Sequence, residues 1–445
     1  MKILLVGGGA REHALGESLC TDQSTRLYVT AADLNPGLAR LAREYAQLHE
    51  RDTSAIVGWA SQRGVDLAVI GPEDPLDAGL ADALWEAGIP TVGPKLAAAR
   101  VETSKLFTRE LMRRYDIPGG VDYHFFTDPV RCEQFLRETG SDWALKPVGL
   151  TGGKGVKVMG VQLHSREEAI QYGHHVIGER IGGTAGLLLE ERLFGEEFTL
   201  QALVDGQHVV PLPLVKDYKL AFEGDRGPNT GSMGSYSCGD GLLPFLNETD
   251  RRHAARILEQ IVHALWAERI EYQGVLYGQF IMTAAGVRLV EINARFGDPE
   301  ALNVLSVLEG SFADVCQAIV NRRLAGVDIR FHNRASVCKY LTPPGYGVMP
   351  RAGVLLRINE SAIERLGVRI LFGRVALHGD GFLTTTSRAI ALLSISETVA
   401  EAGAAVEEAL QFVEGEYHIR HDIGNLAGAP REPKSNGLEY APREV

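Results

Sequence analysis

The sequence predicts a multidomain protein mixing α/β and α+β architecture: an N-terminal parallel α/β domain, a larger two-part domain, and a small, mainly β C-terminal domain. Three observations lead there. At 445 residues the chain is too long for one compact core. Its first hundred residues alternate apolar runs with helical patterns, the βαβα order of a parallel sheet that binds ligands at the carboxyl ends of its strands. From about residue 331 short strand signals dominate, closed by a helix near 396–413.

The elements follow in order. KILLV (2–6) is an apolar run closed by Gly7-Gly8-Gly9 and followed by a helical pattern through Cys20. Strands at about 26–30 and 66–70 alternate with helices near 53–63 and 76–88, and the two prolines of GIPTVGPK (88–95) mark a first boundary. A helix over 102–115 carries Leu106, Phe107, Leu111 and Tyr115 as one apolar stripe and stops before Ile117-Pro118. Strands are expected at 121–126, 142–146, 155–159 and 186–191, and helices near 128–138 and 166–180. EEFTLQALVDGQHVV reads as a hairpin turning at Asp205-Gly206. A long glycine-rich loop (223–241), an amphipathic helix (250–268) and strands at 274–283 and 287–292 complete the middle of the chain. The tail Gly428–Val445, rich in Pro, Gly, Glu and Arg, reads as disordered.

Composition narrows the function. Apolar content of 45% and charged content of 23% are those of a soluble globular protein. No apolar run approaches the ~20 residues of a membrane span, and the N-terminal one is too short for a signal core, so no membrane partner is expected. Five scattered cysteines without CxxC spacing point to a reducing cytoplasm rather than zinc or disulfides. A formal charge of −12 argues against nucleic acid, yet leaves small phosphorylated ligands open, since local cations and backbone N–H groups suffice for them.

Several constellations could carry chemistry. GGGAREHA is a glycine loop at a helix N-terminus, suited to an anion and equally to a tight packing turn; it lacks the third glycine of a dinucleotide fingerprint. In GPEDPL (71–76), Glu73 could bind sugar hydroxyls or merely open a helix. LKPVGLTGGKGVKV (145–158) sets Gly149, Gly152, Gly153, Lys154 and Gly155 between strands, a flap able to cover a triphosphate, with Lys146 just before it. In LVEINARFGDPE (289–300), Glu291 and Asn293 share a strand face and offer two oxygens suited to Mg²⁺; a Glu291–Arg295 pair is the plainer alternative. The loop 215–236, with Lys216, Asp217, Lys219, Asp225 and Arg226, is long enough to suggest substrate binding.

Taken in order, GGGAREHA, GPEDPL, GIPTVGP…ETSK, KPVGLTGGKGV, LEERLFGEEFTL, GPNTGSMGSY and EINARFGDPE resemble the glycinamide ribonucleotide synthetase family of the ATP-grasp superfamily, over residues 1 to about 425. The resemblance implies an N-terminal substrate-binding (pre-ATP-grasp) domain at 1–101, an ATP-grasp domain at 102–330 with a mobile lid about 120–192, and a C-terminal domain at 331–427. It implies ATP-dependent joining of glycine to 5-phosphoribosylamine through a glycyl phosphate, in purine synthesis, by a cytoplasmic monomer or weak dimer using Mg²⁺ or Mn²⁺. A paralogue joining another acid or amine is the alternative.

By the same resemblance Lys105 and Lys146 contact the ATP phosphates under the flap of Gly152, Gly153, Lys154 and Gly155. Glu190, Glu191 and Leu193 belong to the adenine hinge, and Glu197 lies near the ribose. Glu291 and Asn293 would hold the metal, with Arg295, Lys219 and Asp217 as catalytic groups. Gly8, Gly9, Arg11, Glu73, Asn229, Thr230, Gly231 and Asp298 would bind substrate. The chain departs from the family pattern at Ala10, Tyr218, Ser232 and Gln279, of which Ser232 lies where substrate choice would be made.

Overall fold

The computed structural model describes residues 1–151, 155–183 and 186–426. Gly152, Gly153 and Lys154 of the expected flap, and the tail 428–445, lie outside the described residues.

The N-terminal strands β1 (Lys2–Val6), β2 (Arg26–Ala31), β3 (Glu44–Gln47), β4 (Leu67–Ile70) and β5 (Thr91–Val92) form one parallel sheet in the order β3-β2-β1-β4-β5. Ile3, Leu4, Leu5 and Val6 are fully buried because helices cover both faces, which is why β1 reads as an unbroken apolar run. β3 was not legible: EYAQ is a half-exposed edge strand with no apolar alternation. The expected helix 76–88 is two, Glu73–Asp77 and Leu80–Glu86, broken at Gly79 with φ +78°. The expected helix 102–115 is likewise Leu96–Thr103 and Lys105–Arg114. Ser104 interrupts them in an extended conformation and caps the second, its Oγ accepting from Phe107 N at 3.3 Å.

A second, antiparallel sheet orders Tyr123–Phe126, Leu187–Glu191, Trp143–Pro147 and Lys157–Val158. Helices Pro129–Glu138 and Arg166–Gly178 cover it around a separate core that includes Leu136, Trp143, Leu145, Val176 and Leu189. A third sheet orders Val209–Pro211, Glu196–Asp205, Gln273–Thr283 and Gly286–Asn293. Its core residues Phe198, Phe280 and Leu289 pack with Ile257, Leu258 and Ile261 of helix Glu248–Ala267.

The expected loop 223–241 is a correction. Arg226–Asn229 pairs with Leu220–Phe222, and Gly234–Ser237 joins the C-terminal sheet between Lys216–Asp217 and Ala335–Leu341. These strands are short and glycine-rich, and what holds Gly234–Ser237 is a partner a hundred residues away, so no local signal marked it. The C-terminal sheet continues through Ile390–Ser396 to Val368–Phe372, and Val399–Ala409 packs on it. Among the described residues no helix is long and apolar enough to cross a membrane.

His13 ties the first and last parts together. Its Nδ1 accepts from Phe372 N at 2.9 Å, and burial lowers its pKa to about 4, so the ring is a neutral acceptor. Beside it Asn35 Nδ2 donates to Phe372 O at 2.6 Å. A Cβ at Gly37 would lie 1.9 Å from His13 Cε1. Gly37→Ala is therefore expected to destabilise the protein by roughly 2–3 kcal/mol in denaturant titration, because the ring cannot move without losing Phe372. An unchanged midpoint would show that the ring is not held there.

Candidate active site

The strand Gly286–Asn293 organises the site. Its pairing slips at Val290: Leu289 faces Phe280 and Glu291 faces Gln279, leaving Val290 as an extra residue, a β-bulge. Simple alternation would place Glu291 on the face of Val287 and Leu289, inside the apolar core. The bulge turns it away, while Leu289 and Ile292 share the core. It also releases the Val290 carbonyl from the ladder, and that oxygen accepts from Arg109 Nη2 at 2.7 Å and Lys146 Nζ at 3.1 Å.

Lys146 is buried on strand Trp143–Pro147, not solvated as an isolated strand lysine usually is. Its ammonium lies 2.5 Å from Glu190 Oε2. Arg109 grips the same carboxylate through Nε at 2.6 Å and Nη2 at 2.8 Å, and its Nη1 donates to Leu289 O at 3.1 Å. Burial works to raise the Glu190 pKa, but Arg109 and then Lys146 outweigh it and hold it at about 2. Lys105, first residue of its helix, donates to Gly149 O at 3.1 Å; burial lowers its pKa, with Lys146 adding to the effect and Glu291 opposing it.

Glu291 is also kept ionised: burial opposes its charge, but Lys219, Lys105, Lys146 and Arg295 lower its pKa. The alternative Glu291–Arg295 pair is not what forms. Arg295 Nε donates to Glu73 at 3.1 Å, while Nη2 lies 3.0 Å from Glu102 and 3.3 Å from Asn293 Oδ1. Burial would raise the Glu73 carboxyl, but Arg295 and Arg11 hold it at about 2. Burial lifts Glu102 to about 7 against the pull of Arg295.

Glu197 accepts from Gln279 Nε2 at 2.9 Å and lies 3.9 Å from Lys219. Gln279, the departure noted in the sequence, stands opposite Glu291, but its side chain serves Glu197 and Tyr277. Burial disfavours the charge of Lys219, yet Asp217, Glu197 and Glu291 raise its pKa. Asp217 is 5% exposed and its Oδ1 has no hydrogen-bond partner among the described residues. Burial, reinforced by Asp217, raises Glu300 to about 7. Glu191 accepts from Asp122 N at 3.2 Å, and Leu193 lies in the link between strands Leu187–Glu191 and Glu196–Asp205. Gly155 O accepts from Tyr172 OH at 2.6 Å.

A cavity of about 190 Å³ brings together Gly8, Gly9, Arg11, Glu73 and Asp298 of the expected substrate set. The C-terminal part adds Tyr340, Arg374, Ser387 and Arg388, which the sequence reading missed as site residues. They lie in none of the motifs quoted above, and only the fold brings them to the cavity. Arg388 Nη2 meets Asp298 Oδ2 at 2.9 Å, its Nη1 donates to Gly231 O, and its guanidinium lies 4.6 Å from the Tyr340 ring. Thr230 N donates to Lys219 O at 2.8 Å, and Asn229 pairs with Leu220. Ser232 has φ +85° and is held there by its Oγ, which donates to Gly234 O at 3.0 Å.

Among the described residues no three or more His, Cys, Asp or Glu side chains cluster as a metal site. Glu291 and Asn293 instead supply two hard oxygens, one of them anionic, which suits a Mg²⁺-type ion that takes its remaining ligands from phosphate and water.

Two antiparallel sheets with lysines, a carboxylate and a carboxamide set between them, preceded by a parallel α/β domain, define an ATP-grasp ligase. Residues 1–102 match the phosphoribosylglycinamide synthetase N domain and residues 103–301 its ATP-grasp (A) domain. Phosphoribosylamine–glycine ligase of Methanothermobacter thermautotrophicus is 48% identical over 424 residues, covering 95% of this chain and 96% of that one. That of Thermococcus gammatolerans is 44% identical over 445 residues, covering 99% of each. The crystal structure of phosphoribosylamine–glycine ligase from Thermotoga maritima superposes with a TM-score of 0.79 at 24% identity, covering 95% of this chain and 100% of that one. The chain belongs to the phosphoribosylglycinamide synthetase family.

The Glu190 ion pairs set a pH dependence. A carboxyl depressed in the folded state stabilises it above the unfolded pKa and loses that contribution as pH falls through the folded value. The drop from 4.5 to about 2 is worth roughly 3 kcal/mol. Glu190→Gln is expected to be least stable relative to wild type near neutral pH, the gap narrowing as pH falls from 4.5 toward 2. A pH-independent gap in denaturation midpoints would contradict that.

Proposed function

We propose that this protein joins glycine to 5-phosphoribosylamine at the expense of ATP, giving glycinamide ribonucleotide, ADP and phosphate in purine biosynthesis. The observation that carries the reading is Arg295. Its guanidinium touches Glu73, which lines the cavity, and Asn293, half of the metal pair, so the phosphosugar pocket and the phosphoryl-transfer site meet at one side chain.

The cavity suits a phosphosugar because it offers both kinds of partner. Arg374, Arg388 and Ser387 offer donors to a phosphate, while Glu50, Glu73 and Asp74 offer acceptors to ribose hydroxyls. Lys105 and Lys146 would neutralise the triphosphate, with the link 190–193 at adenine and Glu197 at its ribose. Asp217, whose buried Oδ1 has no hydrogen-bond partner among the described residues, is suited to the glycine ammonium group. A glycine carboxylate oxygen takes the γ-phosphoryl group and ADP leaves. The amine nitrogen then attacks the glycyl carbonyl, the C–O bond to phosphate breaks, and one amine proton is released. A divalent ion at Glu291 and Asn293, Mg²⁺ with Mn²⁺ as a substitute, would offset the phosphate charge. The protein's own part is orientation and fixed charge. The reading places the domains at 1–101, 102–330 and 331–427, with 120–192 as a closing lid, in a cytoplasmic monomer or weak dimer.

ADP release should require glycine and 5-phosphoribosylamine together, with glycinamide ribonucleotide appearing by mass. ATP binding without stimulation by either substrate would overturn the substrate assignment and leave the ATP-grasp reading standing. Glu291→Gln should abolish turnover while weakening ATP binding only a few-fold; wild-type turnover would refute the metal assignment. Arg388→Met should raise KM for 5-phosphoribosylamine by about tenfold or more and leave KM for ATP unchanged, as loss of a charge-assisted phosphate contact predicts. Equal effects on both constants would count against the cavity as the phosphosugar site.

A further inference from the structure

Lys146, the lysine read as a phosphate ligand, does not stand free: its ammonium is held by Glu190 at 2.5 Å and Val290 O at 3.1 Å. The third N–H of the ammonium has no partner among the described residues, but bringing more than that one donor to a nucleotide phosphate means giving up the carboxylate. Glu190 is 3% exposed, and a carboxylate abandoned at such a depth is costly. Glu190, however, has a second counter-ion. Arg109 engages both of its oxygens at 2.6 and 2.8 Å. Arg109 comes from helix Lys105–Arg114, outside the sheet that carries Lys146 and Glu190. Its remaining donors are fastened to the carbonyls of Leu289 and Val290 at 3.1 and 2.7 Å. The bulge provides the second of these. Arg109 is thus fixed in place, whereas Lys146 is a flexible point charge with rotatable donors.

We propose that Arg109 is a positioning residue for phosphoryl transfer: by neutralising Glu190 alone, it leaves Lys146 free to exchange that carboxylate for a nucleotide phosphate oxygen. The inference rests on the reading of Lys146 as a phosphate ligand. Without Arg109, Lys146 would be the one remaining ion-pair partner of that buried carboxylate among the described residues and would stay locked to it. The bidentate fork matters, because a lysine at position 109 could not satisfy both oxygens and both carbonyls.

The test uses the full chain and ATP as the probe. Arg109→Met is expected to weaken ATP binding, and raise KM for ATP, by about tenfold or more, with KM for glycine within about twofold of wild type. Adding Glu190→Gln to that variant removes the charge that traps Lys146, so ATP affinity should return to within about threefold of wild type. Deleting the partner would also relieve a purely structural arginine, but loss of such a residue would lower stability and move KM for glycine together with KM for ATP, so the split between the two constants is the deciding readout. Wild-type ATP affinity in Arg109→Met, or a double variant as weak as the single one, overturns the proposal. If Arg109→Met fails to fold, Arg109→Lys with and without Glu190→Gln gives the same comparison, with a smaller loss and the same rescue expected. Lys146→Met separates the two claims. Unchanged ATP affinity there removes the phosphate role of Lys146 and the proposal with it. Weakened binding there, with none in the position-109 variants, removes the proposal alone.

Discussion

Buried charge that exists only in compensated sets is the constraint on which the rest depends. Arg109, Glu190 and Lys146 form one set, and Arg295, Glu73 and Glu102 form another. Each spans parts of the chain that would otherwise be separate. The first joins the outlying antiparallel sheet to strand Gly286–Asn293, and the second joins the N-terminal domain to the segment that follows that strand. A buried ion pair adds little net stability over an apolar contact of equal size, so its use here is better explained by specificity of placement. The charges put three lysines, a carboxylate and a carboxamide around one volume and keep Glu291 ionised.

The same strand shows how a small backbone irregularity can serve two ends. The extra residue at Val290 turns Glu291 out of the core and exposes a carbonyl to the cations that must be anchored there. Bulges recur beside active sites because they re-aim one side chain without disturbing the sheet on either side.

The C-terminal part is more than an appendage. Arg420, fully buried, donates to Leu220 O at 3.0 Å and Asp225 at 2.9 Å, and its guanidinium lies 4.8 Å from the Tyr218 ring. His418 Nε2 pairs with Ala221 O at 2.8 Å. The segment around Asp217 and Lys219 is therefore held from behind by residues two hundred positions later, and Arg388 reaches Gly231 and Asp298 from the same side. Tyr218 is the surface on which Arg420 rests. The turn at Ser232 likewise stands between these anchors, its conformation secured by its own hydroxyl.

The sequence by itself determined whatever is local. The apolar run and glycines of Lys2–Gly9, the helices Thr53–Arg63 and Pro129–Glu138, the long strands and the i, i+2 placement of Glu291 and Asn293 are set by periodicity and turn chemistry. Tertiary structure decided what depends on distant partners. The edge strand Glu44–Gln47 and the strand Gly234–Ser237 exist because neighbours supply their hydrogen bonds. The face on which Glu291 stands follows from a bulge that alternation does not announce. Arg109 and Arg388 lie in none of the quoted motifs, and Glu102 and Glu300 stand at the ends of motifs read for other residues: an arginine or glutamate in a helix or loop is ordinarily solvated, and only burial beside an opposite charge from another part of the chain makes it part of a site.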